Sequence, residues 1–78
     1  MSCLTERDYE AIVQRVRAGS YKGAAAAMGI SVGVLQYHLV RAYRVLEVDS
    51  ITQAVMKLWR TDAEFRRLVG DVSQWRRT

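Results

Sequence analysis

His38, the chain's only histidine, is the natural candidate for general acid–base chemistry. That role needs a hydroxyl, thiol or carboxylate placed to exchange a proton with it, and no serine, cysteine or acid is set by sequence spacing to do so. His38 therefore reads as a structural residue. Cys3 is the single cysteine, with no partner for an internal disulfide and no CxxC or cysteine–histidine cluster to hold a metal. The carboxylates are few and sit mostly in what read as helix first turns, where capping and the helix dipole account for them. No enzyme is indicated, and neither a metal nor a cofactor is expected.

The side chains with more to offer are Gln36, Tyr37, Val40, Arg41 and Arg44, which lie off the apolar stripe of one helix. A glutamine carboxamide can pair in bidentate fashion with adenine, and Tyr37 or Val40 can meet a thymine methyl. Arg41 and Arg44 suit phosphates, as does Lys22 at a helix start. The plainer alternative for each is a solvated helix side chain that pairs with nothing. Charge distribution favours a polyanion. The formal net charge is +4, yet acids and bases cancel over residues 1–18, whereas Gly19 to Leu46 carries Lys22, Arg41 and Arg44 and no acid. A further basic excess follows residue 56. A basic stripe on a balanced domain suits DNA.

The elements that must position these residues are helical throughout. Proline is absent, and Ala, Leu, Val, Arg and Glu favour helix. Thr5 followed by Glu6, Arg7 and Asp8 reads as an N-cap with acids in the first turn, starting a helix near Glu6. Tyr9, Ile12, Val13 and Val16 give it an apolar stripe, and Gly19 stops it near Ala18. Lys22 to Met28 holds four consecutive alanines, strong in helix propensity and small enough for close helix approach. Gly29 ends that helix, Ile30 anchors the turn and Ser31 caps a third helix, roughly Val32 to Leu46. In that helix Leu35, Leu39, Ala42 and Leu46 recur at helical spacing. Ser50 with Gln53 forms a capping box opening a fourth helix through Ile51, Ala54, Val55 and Leu58, and Thr61 with Glu64 offers another. The tail either starts a fifth helix at Asp62 or prolongs the fourth, with Gly70 weakening its middle. The expected fold is an all-α, four- to five-helix bundle without a wing, a single domain over residues 1–78.

A short helix, a tight glycine-containing turn and a longer helix with outward polar and basic positions make the pattern of a helix-turn-helix, whose second helix enters the major groove. Ala25 is small where the helices cross, Gly29 turns, Ile30 and Leu35 lock the angle, and Ser31 caps a helix whose first amides can face phosphate. The sequence also resembles the LuxR/GerE-type DNA-binding domain of bacterial transcription regulators. The residues that carry this are Leu4-Thr5-Glu6-Arg7, Glu10, Lys22, Ala25, Gly29-Ile30-Ser31, Gly33, His38-Leu39, Tyr43-Arg44, Leu46, Val48 and Ala54-Val55. The match runs over residues 4–55, leaving 56–78 as a helical extension. The resemblance implies a four-helix domain in which helix three reads the groove and helix four often mediates dimer contacts. It places Gln36, Tyr37 and Val40 toward DNA and Lys22, Arg41 and Arg44 near phosphates. Val34, Gln36, Val40, Val45 and Glu47 depart from the family pattern, Glu47 standing where glycine usually ends the helix. These changes remove cations and so weaken phosphate contact.

The tail is rich in aromatic and apolar residues for so small a domain. Leu58, Trp59, Phe65, Leu68, Val72 and Trp75 are candidates for a dimer or partner surface, the alternative being packing within the chain; Tyr43 and Trp59 read as partly buried packing residues. The expectation is a stand-alone, dimeric, cytoplasmic and nucleoid-associated regulator that binds double-stranded DNA, with no membrane association, since no basic segment precedes an apolar run and no span of about eighteen apolar residues exists. A second reading keeps the fold as an antagonist or adaptor that binds another regulator or a polymerase component, the protein partner seated on the C-terminal helix. A third keeps DNA but resembles the Fis-type and sigma-factor region 4 helix-turn-helices through Gly19-Ser20-Tyr21-Lys22 to Ser31; the Leu4 to Glu10 opening argues against it.

Overall fold

Five side-chain caps divide the chain into helices in the computed structural model, which describes residues 4–70. They are α1 (Glu6–Ala18), α2 (Tyr21–Met28), α3 (Val32–Leu46), α4 (Ile51–Thr61) and α5 (Ala63–Val69). Thr5, Ser20, Ser31 and Ser50 each accept a hydrogen bond from the backbone N–H three residues on, at 3.0–3.3 Å, satisfying a donor the helix cannot. Gln53 completes the arrangement at α4 by reaching back to accept from the Asp49 N–H at 2.8 Å. Ser20 as cap starts α2 at Tyr21, one residue before the expected Lys22.

The expected Thr61 cap is corrected. Thr61 is the last residue of α4 and its hydroxyl donates to the Lys57 carbonyl at 2.8 Å. Asp62 is the cap instead, accepting from the Glu64 and Phe65 amides. The tail thus forms a separate fifth helix, and Gly70, at a positive φ of 68°, ends it rather than weakening its middle.

Gly29 is left-handed at φ 70°, and the Ile30 N–H bonds the Ala25 carbonyl at 3.0 Å, which closes α2 and turns the chain within three residues. The turn bends the path from α2 to α3 by 98°. Glu47 ends α3 in the same way at φ 61°, although a Cβ makes that conformation costly. Glu47→Gly is therefore expected to stabilise the fold by about 1 kcal/mol, raising the melting temperature roughly 5 °C. A thermal melt followed by circular dichroism checks it.

The core lies around α1, which touches all four other helices. Ile12, Leu35, Leu39, Val55 and Phe65 are its largest fully buried apolar side chains. Ala24 and Ala25 are buried and let α2 come close, and the Arg15 guanidinium sits 4.7 Å from the Tyr21 ring centroid across the α1–α2 contact. Tyr43, Trp59 and Leu46 are half-buried against this core. α5 is fixed through Phe65, which meets Tyr9 of α1 edge-on at 6.2 Å between centroids.

Burial, then the neighbouring Asp62 and Glu64 carboxylates, push the Tyr9 phenol from 10.0 up to about 12. Its neutral form is the one the fold favours, so this contribution is whole below pH 10 and disappears as pH rises from 10 to about 12. Tyr9→Phe should flatten the fall in melting temperature over that interval relative to the unsubstituted chain. Parallel curves in a pH series of thermal melts would contradict this.

Candidate nucleic-acid interface

The buried stripe of α3, Leu35, Leu39 and Ala42, determines what faces outward. Gly33, Tyr37, Val40 and Arg44 follow the same helical spacing two residues earlier, on the opposite side, and all four are exposed. Gln36 and Arg41 flank them and are exposed as well. Lys22 is exposed in the first turn of α2, and Ser31 is exposed between the two helices with its hydroxyl oxygen accepting from the Val34 N–H at 3.2 Å. Every residue expected near DNA therefore lies on accessible surface of the α2–α3 unit.

Arg41 and Arg44 differ in their surroundings. The Arg41 guanidinium lies 3.4 Å from an Asp8 carboxylate oxygen and donates to the Tyr37 hydroxyl at 3.3 Å, over whose ring it also lies. The Tyr37 hydroxyl and then Asp8 hold Arg41 more firmly protonated than usual. Among the described residues no carboxylate pairs with Arg44 or Lys22. Arg44 is an exposed cation with its charge available to a phosphate, whereas Arg41 is oriented and partly neutralised.

Asp8 is the site residue that sequence reasoning missed. It is 1% exposed, and its second oxygen sits 2.8 Å from His38 Nδ1. An acid does stand beside His38, then, contributed from thirty residues away, and helix capping does not account for it. Asp8 is locked in place by its own N–H, which donates to Thr5, and it ties α1 to both the inner and outer edges of α3. A buried carboxylate is tolerated only with such partners. Its register was the available signal: Asp8 precedes Ile12 by four residues and Val16 by eight, on the buried side of α1. The Asp8–His38 contact joins α1 to α3. Tyr37 meets the His38 ring edge-on at 5.8 Å.

The expected partner surface is corrected in part. Leu58 and Phe65 are 5% and 0% exposed and belong to the chain's own core, because α4 and α5 fold their apolar sides onto α1. Trp59 is half-buried and Leu68 is exposed; Val72 and Trp75 lie outside the described residues. Met56, not anticipated, is 57% exposed on α4. The described residues hold no group of three metal-ligating side chains, and no single helix among them is long and apolar enough to cross a membrane.

No family model, curated protein or solved structure matches the chain.

Proposed function

We propose that this chain is a DNA-binding transcription regulator of LuxR/GerE type, in which α3 lies in the major groove of a duplex. The observation that carries the reading is the 98° turn between α2 and α3 together with an α3 whose outward side holds Gln36, Arg41 and Arg44 without an exposed acid. Helix-turn-helix units meet at about this angle and present the second helix to the groove. The acid-free stretch from Gly19 to Leu46 avoids repulsion from phosphates on either side. A homodimer supplies the two half-site contacts that one small reader lacks, and exposed Met56 with neighbouring Trp59 on α4 offers its apolar centre. The test is fluorescence anisotropy of a labelled mixed-sequence duplex at low and near-physiological salt. Binding that weakens steeply with salt supports the reading; no binding at low salt contradicts it.

One observation favours a second reading. Tyr21, Val32, Val34, Tyr37 and Val40 are large exposed apolar residues concentrated on the α2–α3 unit, and such a concentration also suits a protein partner. In that reading the chain is an antagonist or adaptor. Arg44→Ala separates the two, since it removes a phosphate contact but leaves an apolar docking surface intact.

A further inference from the structure

Gly33 is the residue of α3 that the chain's own packing does not explain. Its backbone is helical, not left-handed, so conformation does not require glycine. A Cβ at this position would meet only Ser31 Oγ, at 3.9 Å. Gly23 behaves differently: a Cβ there would come within 3.1 Å of Ala18 Cβ and Ser20 Oγ, so packing accounts for it. Glycine is poorer than alanine in a helix, and one of its uses is to let backbone approach a ligand closely. Gly33 lies on the outward stripe, one turn before Tyr37 and two before Val40.

The chemistry around Gly33 is selective. Positions 32–40 contain no lysine or arginine, the side chains that commonly read guanine O6 and N7. They do contain Gln36, whose carboxamide matches adenine N6 and N7, and Val34, Tyr37 and Val40, which are 43%, 59% and 46% exposed and match a thymine methyl. Arg41 and Arg44 follow this apolar strip along α3, exposed Lys22 adds a cation on α2, and no acid occurs from Gly19 to Leu46, a charge arrangement that favours a polyanion over an apolar peptide as its occupant. Resting on the DNA-binding reading above, we propose that the N-terminal half of α3 recognises thymine methyl groups of A·T pairs. Val40 and Tyr37 make the apolar contacts, and Gly33 is the point where the backbone comes nearest the base edges.

The test compares three labelled duplexes by anisotropy with the full chain: alternating A·T, the same duplex with uracil replacing thymine, and alternating G·C. Uracil lacks only the C5 methyl. Thymine duplex is expected to bind about fourfold more tightly than uracil duplex per contacted methyl, and Val40→Ala should shrink that ratio. Gly33→Ala should raise the melting temperature by about 4 °C while weakening binding to the thymine duplex, a combination a purely structural glycine does not produce. Equal, salt-sensitive binding to thymine and uracil duplexes would overturn methyl recognition and leave the DNA-binding reading standing. Absence of salt-sensitive binding to all three would overturn both. Unchanged binding by Gly33→Ala would remove Gly33 from the contact.

Discussion

Phe65→Ala is expected to destabilise the chain by about 3–4 kcal/mol, a large fraction of what a domain of this size possesses. Phe65 is fully buried and is the one buried residue of the seven-residue α5. A helix that short has no stability of its own; it stays in place because Phe65 fills the space beside Tyr9 and the neighbouring core. Truncation would leave a cavity, and the most direct relaxation is release of α5. That release would expose the buried face of α1 it covers. Urea unfolding followed by circular dichroism measures the effect, and a loss below about 1 kcal/mol would show that α5 contributes little to the core.

Arg44→Ala is expected to leave the fold intact, since the side chain is exposed and no carboxylate among the described residues pairs with it, and to weaken DNA binding about tenfold near 0.1 M salt. The slope of log affinity against log salt should fall by about one counterion. Arg41→Ala is expected to reduce the slope less, because Asp8 at 3.4 Å already offsets part of that charge. It should also destabilise the fold, as Asp8 is left buried with only His38 at its carboxylate. The double substitution should remove most of the binding. Equal slopes for the single variants would mean that the Asp8 contact does not persist at the DNA surface.

Most of the helical framework was legible because caps and stops are local. Thr5, Ser31 and Ser50 sit before apolar stripes, and Gly19 and Gly29 sit where only a left-handed residue closes a helix. The α4–α5 break was ambiguous for a local reason too: Thr61 and Asp62 compete as caps, and the threonine hydroxyl is diverted to the carbonyl four residues back. Glu47 was recognisable as an unusual helix end, but its positive φ follows from the backbone and could only be seen in the structure.

The candidate interface was legible as a face, since the exposed positions of α3 follow from its buried ones. What joins that face to the rest was not. The Asp8–His38–Arg41 cluster depends on packing α1 against α3 across thirty residues, and helical periodicity tells which side of a helix is inward without telling what meets it there. The same limit misplaced Leu58 and Phe65: an apolar tail announces that something covers it, and here the cover is the chain's own α1.

The most direct test of α3 as the reading helix is a 15N–1H NMR titration of the full chain with a mixed-sequence duplex at low salt. Amide shifts concentrated at Lys22 and from Ser31 to Arg44, with α4 and α5 changing little, are the expected result. Shifts confined to α1, α4 or α5, or none at saturating duplex, would contradict the account.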